Sequence, residues 1–234
     1  MAAIYELAVI PMQTFSTILL LICLTNFAVG QSYSFDTTFI SNKHKLHIST
    51  KDLNEKSVLL TATYALKSAL HDTIEHQGLA DIKFPDLNKD GYSDILLSYF
   101  GNNPTYFLYL FNPMTKQFKS IKGYMDYPDA LQLKSNPKYY YSYHRAGCAD
   151  ANWVSDLFKI VNFRIVQVGH LYAQGCEFEV EKNPQEIKIY RVTNNNEEKG
   201  KLIVKLPYNE GIEKWGDKWD FIKNYWNKNY QKFD

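Results

Sequence analysis

Nine residues in the middle of the chain place oxygen-bearing side chains at a spacing that suits a metal ion. Asp86, Asn88 and Asp90 alternate, so their side-chain oxygens can converge on one centre. Gly91 follows, where the chain must turn sharply at a positive φ that glycine adopts without steric cost. Such a loop offers the all-oxygen shell that Ca²⁺ prefers. The predicted calcium ligands are Asp86, Asn88, Asp90, the backbone carbonyl of Tyr92 and the carboxylate of Asp94.

The calcium loop, residues 86–94, lacks the last acidic ligand of an EF-hand. It matches the first nine positions of the EF-hand template, but the twelfth position holds Leu97 instead of Glu. The flanking segments 80–84 and 95–100 have the pattern of strands. The alternative is an Asx-rich turn without metal, because Asp, Asn and Gly are common turn residues. Three carboxylates in nine residues repel one another without a cation, which favours calcium.

The N-terminus has the pattern of a secretory signal. Residues 18–24 form an apolar run too short to span a membrane, and small residues follow at Ala28 and Gly30. We therefore predict a signal peptide at 1–30, although no Lys or Arg precedes Lys43. A buried N-terminal helix is the alternative. The prediction places the mature protein in the periplasm or outside the cell.

Removal of the signal peptide leaves two cysteines, Cys148 and Cys176. An even count in a secreted chain favours one disulfide, and two unpaired thiols are the alternative. In the chain-entropy account, closing a loop of this length stabilises the fold by roughly 3–4 kcal/mol. Cys23 follows Ile22, whereas a lipoprotein cleavage site needs a small residue there, so we expect no membrane anchor after signal cleavage.

Composition limits what the remaining chain can be. Residues 31–234 suffice for a single domain with its own core. The full sequence carries a formal charge of +1 with both signs mixed throughout, which argues against nucleic acid as a partner. The 18 Tyr and 14 Phe residues are compatible with β-sheet and with protein recognition, but they establish neither the fold nor the function.

Short alternating segments separated by turn residues indicate a mainly β fold with antiparallel, propeller-like or sandwich-like sheets and one or two peripheral helices. Besides the two segments that flank the calcium loop, the predicted strands are 32–40, 43–49, 106–111, 117–121, 139–144, 156–161, 164–169, 177–181, 186–193 and 201–206.

Two segments predict helices. Within residues 52–77, apolar positions recur on one helical face, although a strand over 57–66 followed by irregular chain is the competing interpretation. At the C-terminus, residues 212–232 carry an amphipathic stripe that predicts a helix docked on the sheets. The stripe consists of Trp215, Trp219, Ile222, Trp226 and Tyr230.

The calcium loop and its surroundings resemble a known family. The segment FPDLNKDGYSDI at 84–95 resembles the calcium loop of FG-GAP/VCBS-type β-propeller repeats. Together with 106–118 and 155–160, it is similar to a family of secreted bacterial proteins with a single such loop. Some members are periplasmic immunity proteins that inhibit peptidoglycan-degrading effectors and resemble invertebrate-type lysozyme inhibitors. The resemblance covers roughly residues 80–170 and implies a calcium-binding inhibitor of a lysozyme-like hydrolase.

The sequence offers little support for an enzyme. It contains no Gly-x-Ser-x-Gly elbow, no His-Glu-x-x-His and no phosphate-binding glycine loop. A cell-wall glycosidase stays a weaker alternative, because its carboxylate pair depends on a distance in space that a sequence does not give. The six histidines are scattered without a spacing typical of metal sites; they are His44, His47, His71, His76, His144 and His170.

A protein-binding role fits better. The segment 139–148 places several tyrosines and Arg145 beside the predicted disulfide, and Tyr and Arg often dominate protein interfaces. We predict that Tyr141, Tyr143 and Arg145 contact a protein partner, with a peptidoglycan hydrolase as that partner. The alternative is that alternate tyrosine rings face the core of an ordinary strand. A calcium-stabilised envelope structural or adhesion module is the competing function.

Overall fold

The computed structural model describes residues 34–234 apart from 179, 180, 194 and 211. These residues belong to one compact unit. The predicted signal peptide lies outside the described residues. Fifteen strands and one α-helix account for the regular structure of the described part of the chain. None of its helices is long and apolar enough to cross a membrane.

The first sheet is a four-stranded antiparallel meander in which each strand pairs with the next. Alternating burial along its third strand shows one face turned to the core. Asn42 and Lys43 form the first turn with φ of 44° and 66°, and Ala65 and Leu66 form the third with φ of 50° and 65°. The strands are β1 (Asp36–Ser41), β2 (His44–Asn54), β3 (Ser57–Tyr64) and β4 (Lys67–Glu75).

The helix predicted over 52–77 is wrong. This segment instead holds the end of β2, all of β3 and β4, so the competing strand over 57–66 is confirmed in part. The supposed helical face fails because Leu66 is 89% exposed at a hairpin turn. The buried positions Val58, Leu60 and Ala62 alternate, as they do in a strand.

The second sheet is also a four-stranded meander and carries the predicted calcium loop between its first two strands, which confirms that the loop joins two strands. It packs on the first sheet, because Ile48 and Leu60 share one buried core with Ile95, Leu97 and Phe111. The strands are β5 (Leu79–Lys83), β6 (Ile95–Tyr99), β7 (Thr105–Asn112) and β8 (Gln117–Ser120).

The third sheet has seven strands in the order β15-β14-β13-β12-β10-β9, with β11 paired to β12. The strands are β9 (Leu131–Gln132), β10 (Tyr139–Tyr141), β11 (His144–Arg145), β12 (Asn152–Val161), β13 (Arg164–Gln174), β14 (Glu186–Thr193) and β15 (Asn196–Pro207).

Two strand predictions for this sheet need correction. The strand predicted over 139–144 is two short strands, interrupted at 142–143. The strand predicted over 177–181 is wrong at its described residues, where the chain bends and turns instead. That chain follows Cys176, whose disulfide bond fixes it to another turn.

The C-terminal helix α1 spans Asp217–Asn229, which is shorter than the predicted 212–232, and packs on the seven-stranded sheet. Ile222 and Trp226 are buried at 2% and 0% exposure, as the amphipathic stripe predicts. Trp215 and Trp219 instead remain 59% and 43% exposed. The fold is thus mainly β and sandwich-like with one peripheral helix.

Gly169 on β13 lies close beneath the C-terminal helix. A Cβ there would lie 3.0 Å from Trp226 and 3.1 Å from both Leu157 and Phe233. We expect Gly169→Ala to lower the free energy of unfolding by about 1–3 kcal/mol, because an added methyl overpacks a filled core. Urea denaturation of the purified protein measures the change.

Gly216→Ala is the matched control. Nothing lies within 4 Å of a Cβ at Gly216, and its φ of −74° suits any residue. The urea midpoint of Gly216→Ala should stay near that of the wild type. Equal urea midpoints for Gly169→Ala and Gly216→Ala would contradict the packing described at Gly169.

Candidate functional site

The predicted calcium loop folds its side-chain oxygens onto its own backbone. Oδ1 of Asp86 and Oδ1 of Asn88 lie 3.0 Å and 3.2 Å from the same donor, the amide nitrogen of Asp90. Oδ2 of Asp86 accepts from Gly91 N at 2.9 Å, and Gly91 has a φ of 89°. Oxygens of Asp86 and Asn88 therefore meet at one backbone amide of the loop.

Asp94 occupies a different position from the other carboxylates. It is 0% exposed and accepts hydrogen bonds from Leu87 N and Phe111 N, both at 2.9 Å. Burial raises the pKa of this carboxyl to about 7; the two backbone hydrogen bonds oppose the shift, and the charges of Asp90 and Asp86 add to it. Asp94 thus ties the loop to β7.

These positions fit calcium in part. Asp86, Asn88 and Asp90 carry oxygens of the type that calcium prefers, and these oxygens accept hydrogen bonds within the loop, as Asp90 Oδ1 does from Tyr92 N at 2.9 Å. The carboxylates of Asp86, Asp90 and Asp94, however, are not a cluster whose ligand atoms all lie within 4.8 Å in the described chain. Asp94 corresponds to the ninth EF-hand position, which in EF-hands often reaches calcium through a water molecule.

A disulfide joins Cys148 to Cys176 with a Cα–Cα distance of 5.8 Å, which confirms the predicted pairing. It connects a short turn before β12 to the chain that follows β13. Disulfides persist in oxidising compartments, so the bond fits a protein that functions outside the cytoplasm.

The turn held by this disulfide has an unusual backbone. Gly147, Cys148, Ala149 and Asp150 have φ values of 106°, 51°, 48° and 74° in succession. Non-glycine residues in the left-handed region cost on the order of 1–3 kcal/mol each where the conformation is sparsely populated, and such residues cluster at functional sites. Contacts around the turn must therefore stabilise it.

A buried ion pair supplies that stabilisation. Lys218 of α1 is 0% exposed, and its Nζ lies 2.6 Å from Oδ2 of Asp150 and 3.2 Å from the carbonyl of the same residue. The Tyr143 hydroxyl donates to Oδ1 of Asp150. The ammonium also lies 3.9 Å from the centroid of the Trp215 ring. The burial lowers the pKa of Lys218, and Asp150 opposes that shift.

The structure separates the three residues predicted to contact a partner. Tyr141 and Tyr143 are each 8% exposed, so neither ring is available to a partner, and the alternative that they face the core is correct. The side chain of Arg145 is 59% exposed. The residue is held through its backbone by Asn103, which accepts from Arg145 N at 3.2 Å.

Arg145 borders a cleft that the sequence did not predict. The cleft has a volume of about 470 Å³ and is also lined by Asn103, Trp215 and Trp219. The two indole rings are exposed and lie 6.3 Å apart in an edge-to-face arrangement. Tryptophan and arginine are residue types enriched among the residues that dominate protein interfaces.

A second polar cluster lies on the seven-stranded sheet. Asp156 and His170 face each other across β12 and β13, and Nδ1 of His170 lies 2.7 Å from Oδ1 of Asp156. Glu197, near the start of β15, brings Oε2 to 3.5 Å from the same nitrogen. Sequence reasoning missed this cluster, since strand pairing unites residues far apart in the chain.

Comparisons with known proteins add little. No protein-family model and no curated protein matches the chain. Among solved structures, the fold is similar to a Xanthomonas type IV secretion system related protein, with a TM-score of 0.45 and 18% identity over 72% of this chain and 93% of that one. Similarity at this level indicates no function.

Removing the Lys218 ammonium should destabilise the protein. We expect Lys218→Ala to lower the free energy of unfolding by about 3–5 kcal/mol, because it leaves the Asp150 carboxylate buried without its cation. The double variant Lys218→Met, Asp150→Asn should recover part of the loss, since both charges are removed together. Chemical denaturation measures both.

Lys223→Ala is the matched control on the same helix. The Lys223 side chain is 45% exposed and pairs with exposed Asp220 at 3.1 Å, so its loss should cost less than about 1 kcal/mol. Equal losses for Lys218→Ala and Lys223→Ala would refute the structural role of the buried pair.

Proposed function

We propose that the protein acts outside the cytoplasm, in the periplasm or after secretion, as a calcium-binding immunity protein that inhibits a lysozyme-like, peptidoglycan-degrading hydrolase by binding to it. The observation that supports this best is the exposed Arg145 beside a left-handed turn tied down by a disulfide. The choice of hydrolase rests on the resemblance of the calcium loop region to families that contain such inhibitors.

A stiff turn suits an inhibitor. Gly147 and Ala149 are exposed, whereas Asp150 beneath them is buried at 5% exposure and ion-paired. The exposed residues of the turn are therefore held in place by two contacts, the ion pair of Asp150 with Lys218 and the disulfide of Cys148 with Cys176. A segment ordered before binding loses less conformational entropy when it enters a partner's cleft.

Charge supports a partner with an acidic cleft. Glycoside hydrolases flank the scissile bond with two carboxyl groups, so a guanidinium that enters such a cleft meets opposite charge. Within this chain Nε of Arg145 lies 3.9 Å from Oδ2 of Asp150, and that contact orients the side chain beside the turn. Asp150 already pairs with Lys218, so the charge of Arg145 is available to a partner.

Calcium would serve a structural role in this proposal. Asp86, Asn88, Asp90 and the Tyr92 carbonyl would hold the ion, which would neutralise the repulsion among the loop's carboxylates. The loop lies between β5 and β6, whereas Arg145 lies on β11 of another sheet. The ion would therefore stabilise the fold without contacting the partner.

The second candidate is an envelope structural or adhesion module. The exposure of Trp215 and Trp219 favours it, because exposed aromatic rings also suit attachment to a large surface. Calcium would then only make the fold rigid. The two functions differ in whether a hydrolase loses activity when the protein binds.

Calcium should raise the melting temperature of the chelator-treated protein. A ligand that binds only the native state stabilises it by about 2.7 kcal/mol at a concentration a hundredfold above its Kd. Asp90→Ala should abolish most of this rise by removing a central carboxylate. Differential scanning calorimetry with and without chelator measures the shift.

Asp220→Ala controls for the loss of a carboxylate, because the Asp220 side chain is 76% exposed on α1, away from the loop. It should retain the full calcium shift. A melting temperature unaffected by calcium, with no metal bound to the wild type, would leave the loop as a metal-free Asx turn.

Inhibition should depend on Arg145. The mature protein should bind a peptidoglycan hydrolase encoded beside its gene, or an invertebrate-type lysozyme as a second probe, and suppress cell-wall lysis in a turbidity assay. Arg145→Ala should weaken binding by about 1–3 kcal/mol, as loss of a central interface arginine commonly does. Titration calorimetry and the inhibition constant measure the effect.

Arg164→Ala is the matched control, since exposed Arg164 pairs with Val161 at the far end of β12 from Arg145. It should leave inhibition unchanged. Binding to isolated cell walls without loss of hydrolase activity would favour the adhesion module, and cleavage of peptidoglycan by the protein alone would favour the enzyme.

A further inference from the structure

Asp156, His170 and Glu197 bring three metal-binding atoms together at one point. Their ligand atoms all lie within 4.8 Å of one another, a spacing that no other group of three His, Cys, Asp or Glu side chains shares in the described chain. Nδ1 of His170 faces both carboxylates, at 2.7 Å from Asp156 and 3.5 Å from Glu197. Carboxylate oxygen and imidazole nitrogen are both ligand types that divalent transition metals such as zinc accept.

The cluster is held in place by its neighbours. Nε2 of Gln167 donates to Oδ1 of Asp156 at 2.9 Å and to Oε1 of Glu197 at 2.6 Å. Gln167 is itself 2% exposed, and its backbone N donates to Oδ1 of Asn195 at 2.8 Å. The side-chain amide of Gln167 thus holds the two carboxylates side by side. Residues in the second coordination shell orient metal ligands in the same way.

The cluster is also accessible. Asp156 and Glu197 line a cleft of about 340 Å³ together with Tyr127 and His144. Glu197 is 46% exposed, whereas Asp156 and His170 are 3% and 15% exposed. An ion could therefore enter from the cleft and meet two fixed ligands on adjacent strands and one on the β14–β15 hairpin.

We propose that Asp156, His170 and Glu197 bind a zinc ion, with an open coordination position toward the cleft. Zinc accepts mixed nitrogen and oxygen ligands in a tetrahedral arrangement and needs three protein ligands when the fourth position is left to solvent. The imidazole nitrogen distinguishes this site from the calcium loop, because calcium prefers oxygen alone. Bound zinc would join β12 and β13 to the β14–β15 hairpin.

Calorimetric titration of chelator-treated protein with zinc chloride tests the site. The wild type should bind one zinc tightly, and His170→Gln and Glu197→Gln should each weaken binding by more than about 100-fold, beyond the roughly 10–100-fold effect of second-shell changes. Glu197→Gln removes a half-exposed ligand, so it keeps the test valid if His170→Gln does not fold. Cobalt provides a spectroscopic check, since tetrahedral coordination gives intense visible absorption.

Two variants control for other binding. His71→Gln removes an exposed histidine on β4, and Asp90→Ala removes the predicted calcium ligand; both should bind zinc as the wild type does. The proposal is overturned if the wild type binds no zinc, or if His170→Gln and Glu197→Gln bind it unchanged. Loss of zinc binding in Asp90→Ala alone would place the ion in the calcium loop instead.

Discussion

The ion pair between Lys218 and Asp150 is the interaction on which the candidate binding surface depends. An ammonium that is 0% exposed needs a partner, because an isolated buried charge costs several kcal/mol. Asp150 supplies it from a left-handed backbone conformation at a φ of 74°. The C-terminal helix, the disulfide-bonded turn and the Tyr143 hydroxyl therefore converge on one carboxylate, and Arg145 lies on the strand that enters the same turn. Any change that releases Lys218 would loosen all of these together.

Patterns in short stretches of sequence predicted the features that depend on neighbouring residues. The strands around the calcium loop, the disulfide and the C-terminal helix depend on short-range spacing and cysteine count, and the structure contains all three. The hairpins within 52–77 were missed for an equally local reason. Ala65 and Leu66 both adopt a positive φ at the β3–β4 turn, a conformation usually signalled by Asn-Gly or Gly-Gly. Without that signal, a run of Leu and Ala residues favoured a helix.

The candidate sites show where sequence reasoning ends. Tyr141 and Tyr143 are of a residue type common at interfaces, but their exposure depends on how the chain at and after β10 packs against the core, and both are buried. Trp215 and Trp219 belong to an apolar stripe, yet they line a cleft because Lys218 takes the buried position between them. The cluster of Asp156 and His170 arises from strand register, since these residues are 14 positions apart and directly opposite. No spacing along the chain signals such a pair.

Packed side chains connect the calcium loop to the segment that carries Arg145. The Tyr140 hydroxyl donates to the Leu87 carbonyl at 3.3 Å, and its ring stacks on Phe158 at 5.6 Å. Tyr140 belongs to β10, and the chain runs from there through buried Ser142 to Arg145. Ser142 N in turn donates to the Asp156 carbonyl at 3.0 Å. In the proposed function, displacement of the calcium loop would reach the surface around Arg145 through this buried ring, so calcium would act on partner binding through the stability of the fold and not through contact.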